Sequence, residues 1–381
     1  MWHVPIFRAS VQQISQTLSL IFLFRKRHFS WLLVLNQANC AFSSESVQKN
    51  TGNIVPTMVE ESVKPNINHG LLLYHNQYSF YSQKVVMALH EKNLLFESRL
   101  IDLTKSEQYE HWFLQINSRG EVPVLQDSSK IIPDSGRIID YLEDNFSNGD
   151  TPRLIPMDQG PQVRQKIIYF RNLIENLNGN VLTVGSLLHP EVVTGSRKIP
   201  FIGPVCNQLL NAENSSAANL RKVAEENPES KDILLEKAAN QEAKHEKLLN
   251  KDEFMKILMV TDNMFDEVEK ELSQHTGDIK NWWLCTDRFT VADIALTILL
   301  ERLNQIGLEN RFWANGVRPH VEEYYRRVQE RESYKNTIPT TFMFIKTVFI
   351  SQAPLIIGVS IAAVVAVIVG GWFVVKKIIY K

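Results

Sequence analysis

Cysteine is scarce: the 381 residues contain three, Cys40, Cys206 and Cys285. An odd, widely spaced set without a C-x-x-C excludes a disulfide framework and a cysteine zinc site, and it fits a reducing compartment. Net charge is nearly absent too, with 41 basic residues against 42 acidic ones leaving −1. No bulk field exists to draw nucleic acid, and no basic stripe with interleaved aromatics is present, so no nucleic-acid partner is expected. There is no P-loop, no H-E-x-x-H and no recognisable nucleophile triad. His189 stands beside Pro190 and Glu191 without a second ligand at metal spacing. It reads as structural, and no metal site is expected. What is plentiful is apolar sequence, 44% of the chain. That is ample for a sizeable core, and the length makes two domains the natural expectation.

The ends differ from the middle. Ala353 to Val375 reads APLIIGVSIAAVVAVIVGGWFVV, with no charged residue. As a helix it spans roughly 35 Å, against a bilayer core of about 30 Å. A buried core helix usually keeps a polar stripe, and this segment has none beyond Ser360 and its glycines. Lys346 precedes it, and Lys376, Lys377 and Lys381 follow. The expectation is a transmembrane helix over 353–375 with a basic tail at 376–381. Inserted after translation, it would act as a tail anchor and leave everything upstream on the cytosolic side. At the other end, residues 1–44 carry no Asp or Glu but include Arg8, Arg25, Lys26 and Arg27. A mitochondrial transit peptide, a signal peptide and an extension without a role upstream of Met58 all fit these flanks. Residues 1–70 are read as a disordered or targeting-like extension, polar from Asn36 to His69 and punctuated by Pro56 and Pro65.

Folded structure is expected from Leu71. LLLY is a short apolar run, a buried strand by length and flanks. Val85, Val86, Ala88 and Leu89 then recur at helical spacing, and LLFESRLI reads as a strand. A polar helix with Tyr109, Trp112, Phe113 and Ile116 on one face follows. VPVL and KII form a hairpin, and Ile138, Ile139, Leu142 and Phe146 mark a closing helix. The order β-α-β-α-β-β-α within about 80 residues is a thioredoxin-like α/β arrangement over 71–150. Inside it, Val122-Pro123 sits at a strand start, where proline cannot donate a ladder bond and a cis bond is readily reached. Such a bend turns the Val122 backbone outward to pair with another peptide. Across the hairpin, Asp134-Ser135 opens a helix whose free amides and dipole favour a carboxylate. A short extended peptide with a free carboxylate fits between them. A cap residue and a turn proline with no further role fit equally well.

Residues 151–346 are read as all-helical. Thr290 and Asp293 form a capping box before the apolar helix of VADIALTILLERL, a folding device rather than chemistry. An insertion is expected over about 178–273. Its first part, Asn178 to Asn219, is rich in Gly and Pro and reads as irregular. Its second part, Ala217 to Ser273, is charged and helical, broken once at Asn227-Pro228. Leu234, Ala238, Leu248, Ile257 and Phe265 supply its apolar positions, and its charged face is either solvated or a surface for protein partners.

The segment GEVPVL…IIPDSGRIIDYLE resembles the glutathione-binding half of a glutathione transferase, and FTVAD resembles the capping box of the helical half. The chain as a whole is similar to the ganglioside-induced differentiation-associated protein 1 family. LYHNQYSFYSQKV, NSRGEVPVL, IIDYLE, LLHPE, AEENPE and RPHVEEYYRRV carry that resemblance, which covers about residues 71–381. The resemblance implies an α+β, transferase-like fold: a thioredoxin-like domain, an all-helical domain with an insertion, and one C-terminal membrane helix. It implies glutathione as ligand, with Val122 and Pro123 pairing its cysteinyl part and Asp134 and Ser135 holding its γ-glutamyl end. Transferases more often have Glu or Gln where Asp134 stands. It implies Ser79 as the hydroxyl near the sulfur, although the next position, usually Pro, is Phe80. It further implies a small electrophile as co-substrate, a lipid bilayer as partner, and a homodimer. The expected setting is the mitochondrial outer membrane, with roles in fission, network organisation and redox balance. Two readings stand: a membrane-bound interaction or sensing module that binds glutathione, and an active transferase. The insertion, Phe80 and the anchor favour the first; the intact Asp134-Ser135 pair favours the second.

Overall fold

The computed structural model describes residues 70–148, 151–275 and 282–344. Four short strands form one sheet in the order β2-β1-β3-β4. They are β1 (Leu71–His75), β2 (Glu97–Leu100), β3 (Val124–Asp127) and β4 (Lys130–Pro133). β1 runs parallel to β2 and antiparallel to β3, which pairs antiparallel with β4. Because side chains alternate across a strand, Leu71 and Leu73 join one core and Tyr74 another. On the first face lie helices α1 (Phe80–Glu91) and α3 (Ser135–Asn145), with Val85, Leu89, Ile138 and Leu142 buried. On the other lies the short α2 (His111–Leu114), whose Phe113 packs with Tyr74, Ile101 and Val124.

The sequence reading of this half is right in order and wrong in detail. The strand expected in LLFESRLI is only Glu97–Leu100, an exposed edge. The expected polar helix is two 3₁₀ turns, Leu103–Lys105 and Glu107–Tyr109, followed by α2. Asp102 caps the first turn and Ser106 adopts φ 61°, which breaks the helical path between them. The aromatic spacing therefore reflects burial against the sheet rather than a helix. The hairpin is tighter than expected, closed by Ser128 and Ser129 alone, with Ser128 at φ 56°.

The helical half contains α4 (Gly160–Glu175), α5 (Gly179–Leu188), α6 (Gly203–Glu226), α7 (Lys231–Leu249) and α8 (Lys251–Ser273). After it come α9 (Val291–Gln305), α10 (Glu309–Phe312), α11 (Pro319–Val328) and α12 (Glu332–Thr337). α9 is its axis, since every residue except Asn304 is buried. The capping box is present as read. The fully buried Asp293 accepts from the Thr290 amide at 2.8 Å, the Thr290 hydroxyl at 2.7 Å, the Leu284 amide at 2.8 Å and the Tyr324 hydroxyl at 2.9 Å.

Two expectations about the insertion are overturned. Asn178 to Asn219 is not irregular: it holds α5 and most of α6, joined by a loop. Asn178 caps α5 through the Asn180 and Val181 amides, and Pro204 sits in the first turn of α6, where proline is tolerated. Its glycines serve close packing, as a Cβ at Gly185 would stand 2.1 Å from the Phe254 ring. The charged region is broken twice, at Asn227-Pro228 and again at Asn250, which caps α8. Leu234, Ala238, Leu248 and Phe265 are buried as expected. α6 and α7 pack as a pair, and Leu220, Ala224, Leu234 and Ala238 form a small core with Leu114 of α2. His189 is structural: its Nε2 lies 2.8 Å from the Leu248 carbonyl and its ring stacks on Phe254. Among the described residues no helix is long and apolar enough to cross a membrane; the apolar run 353–375 lies outside them, as does the extension 1–69.

Candidate functional site

Sheet register gathers the site. Tyr74 pairs with Val124, and Val124 with Pro133. The loop after β1, the bend before β3 and the chain leaving β4 therefore meet at one end of the sheet. All five residues singled out by sequence lie there: Ser79, Val122, Pro123, Asp134 and Ser135.

The Val122–Pro123 peptide is cis. The Val122 amide and carbonyl make no hydrogen bond among the described residues, so one extended peptide could pair with them. Beside them α3 begins. Asp134, at φ 74°, caps that helix by accepting from the Arg137 amide at 3.0 Å. Its carboxylate is thus partly spent on folding. Ser135 is buried, and its hydroxyl has no partner among the described residues. First-turn amides find no acceptor within their own helix, which leaves Ser135 N–H and hydroxyl together as donors for a carboxylate. Ser79 caps α1 in the same manner, its Oγ accepting from the Ser82 amide at 3.3 Å. Its hydroxyl proton remains available to donate. Phe80, next to it, is buried against Gly179, where a Cβ would stand 2.8 Å from the ring.

The structure adds residues that sequence reasoning missed. Lys84 of α1 is buried, 3.5 Å from Glu175 of α4 and with its ammonium 4.9 Å from the Phe80 ring centroid. Burial holds its pKa below the usual lysine value. Arg171 of α4 donates to the Gly136 carbonyl at 3.3 Å and to Glu175 at 3.2 Å, and pairs with Asp140. It braces the first turn of α3 from the helical half. Tyr81 has its pKa raised by burial and then by the negative charge of Glu121. Its hydroxyl stays protonated at neutral pH and serves as a neutral donor. Arg302 of α9 is buried and forms no ion pair with a carboxylate among the described residues; its guanidinium donates to the Tyr78 carbonyl at 2.8 Å and the Thr183 hydroxyl at 3.2 Å. It ties the loop carrying Ser79 to the helical half, and burial lowers its pKa to about 10. None of these has a local sequence signal, since each gains its role from a helix docking far along the chain. Cys206 and Cys285 are free and buried, and burial raises the Cys285 thiol above its usual range. Among the described residues no cluster of three His, Cys, Asp or Glu is placed to hold a metal.

Comparison with known proteins agrees with this arrangement. The family described as Glutathione S-transferase, N-terminal domain, matches residues 73–151, and Glutathione S-transferase, C-terminal domain, matches residues 243–327. The chain is 25% identical over 273 residues to the Arabidopsis thaliana Glutathione S-transferase TCHQD, covering 71% of this chain and 90% of that protein. Among solved structures, the beta-etherase LigF from Sphingobium superposes with a TM-score of 0.49 at 21% identity, covering 70% of this chain and 98% of that one. With human Ganglioside-induced differentiation-associated protein 1-like 1 the identity is 33% over 275 residues, 70% of this chain and 73% of the relative. The fold is glutathione transferase-like, and the chain belongs to the ganglioside-induced differentiation-associated protein 1 family.

Proposed function

We propose that the protein is a membrane-anchored, glutathione transferase-like module of the mitochondrial outer membrane. Its bulk faces the cytosol, and it acts in fission, network organisation and redox balance. It binds glutathione and uses that binding chiefly for interaction or sensing, with protein partners meeting the helical insertion and a second copy forming a homodimer. The observation that carries the binding half is the free Val122 backbone facing the unpartnered Ser135 hydroxyl at the start of α3. Ser135 takes the γ-glutamyl carboxylate, Asp134 its ammonium, and Val122 the cysteinyl backbone. Binding is favoured over turnover because the Ser79 oxygen is engaged as a helix cap and Phe80 fills the adjacent space.

The second reading, an active transferase joining glutathione to electrophiles, draws on one feature: the Ser79 hydroxyl proton is still free to stabilise a thiolate. Two Ser-to-Ala variants separate the roles. Ser135→Ala removes a donor to a charged group, which contributes about 1.5–3 kcal/mol, so glutathione affinity falls roughly ten- to a hundredfold. Ser79→Ala leaves affinity nearly unchanged and abolishes any conjugation of a general electrophile. Unchanged affinity in Ser135→Ala would remove the assigned site; unchanged conjugation in Ser79→Ala would remove the second reading as drawn.

A further inference from the structure

The inserted helix pair reaches the loop that presents Val122. Lys237 of α7 donates to the Arg119 carbonyl at 2.8 Å, approaches the Gly120 carbonyl at 3.5 Å and pairs with Glu121 at 3.1 Å. Its ammonium also lies 5.3 Å from the Tyr109 ring centroid. That ring holds Gly120 at φ 57°, where a Cβ would stand 2.6 Å from it. The backbone beneath Lys237 is therefore fixed. So is its helix, because Leu234 and Ala238, on either side of Lys237 in sequence, are buried against Leu114.

Charge is unbalanced at this spot. The Glu121 carboxylate is shared by Lys237 at 3.1 Å and Arg119 at 3.3 Å, two cations on one anion. The Lys237 side chain keeps 20% of its surface exposed, enough for the ammonium to take a second acidic partner.

Direction is set by the register. Asp134 and Ser135 lie on the Pro123 side of Val122. A peptide that pairs antiparallel with Val122 and has its amino-terminal residue at Ser135 runs its other end back along Glu121 and Gly120. One residue advances about 3.3 Å along a strand, so the residue after the paired one ends beside the Gly120 carbonyl. We propose that Lys237 receives the carboxylate at the C-terminal end of that peptide, so that the family's helical insertion supplies one wall of the ligand site. The proposal rests on the glutathione reading, in which this group is the glycyl carboxylate.

The test is calorimetric titration of the full chain with glutathione and with its glycyl ethyl ester, in the parent, Lys237→Met and Lys237→Arg. Methionine keeps the apolar stem without the charge. The parent is expected to bind the ester about tenfold more weakly than glutathione. Lys237→Met should bind both equally, at the level of the ester, and Lys237→Arg should restore the preference. A parent that binds both ligands equally overturns the proposal without any variant, and so does a preference that survives in Lys237→Met. A parent that binds neither removes the glutathione reading itself and Lys237's role with it. Glutathione binding without a preference removes Lys237 alone.

Discussion

At the scale of single residues, burial decides what the titratable groups near the site do. His75 closes β1 with its Nε2 2.5 Å from the Ser98 hydroxyl, while its buried Nδ1 has no partner among the described residues. Protonation would place a second N–H in a space without an acceptor, and burial lowers its pKa from 6.5 to about 4. The unfolded chain then binds more protons than the fold between those two values, so this contribution is complete above pH 6.5 and is lost as pH falls toward 4. At about 1.36 kcal/mol per unit, the loss across the window is at most about 3 kcal/mol. Urea midpoints measured from pH 7 to 4.5 should fall in the parent and fall less in His75→Gln. Parallel curves would assign the acid sensitivity elsewhere. The residues legible in sequence here were those whose neighbours in sequence set their geometry: the bend at Val122-Pro123 and the helix start at Asp134-Ser135. Lys84, Arg171, Arg302 and Lys237 were not legible, because α1, α4, α9 and α7 bring them in from distances the local pattern does not encode.

At the scale of elements, glycine and proline misled where they serve packing. Asn178 to Asn219 looked irregular because glycine usually interrupts helices, yet Gly185 lies within α5 against the fully buried Phe254, itself stacked on His189. On an exposed helix, Gly→Ala gains about 1 kcal/mol. Here the added methyl would meet the Phe254 ring at 2.1 Å, and overpacking costs about 1–3 kcal/mol. Gly185→Ala is therefore predicted to lower the thermal midpoint; an unchanged or raised midpoint would show that α5 and α8 can separate without cost. The reading of Tyr109, Trp112, Phe113 and Ile116 failed for a related reason: helical spacing recorded which side chains meet the sheet, while Ser106 at φ 61° broke the helix itself. The capping box at Thr290 and Asp293 succeeded because all its information lies within four residues.

At the scale of the whole molecule, the account joins a family fold, a peptide-binding end of the sheet and a proposed anchor. The anchor is tested by fusing residues 347–381 to a fluorescent protein. The fusion should mark mitochondria, and exchanging Lys376, Lys377 and Lys381 for Ser should shift it to other membranes; a diffuse or reticular signal in the unmodified fusion would refute the assignment. The central claim is narrower: the sheet end formed by Val122, Asp134 and Ser135 is a working glutathione site. The direct measurement is calorimetric titration of the full chain with glutathione. The account predicts saturable binding of one glutathione per chain; the absence of any binding heat at millimolar glutathione would contradict it.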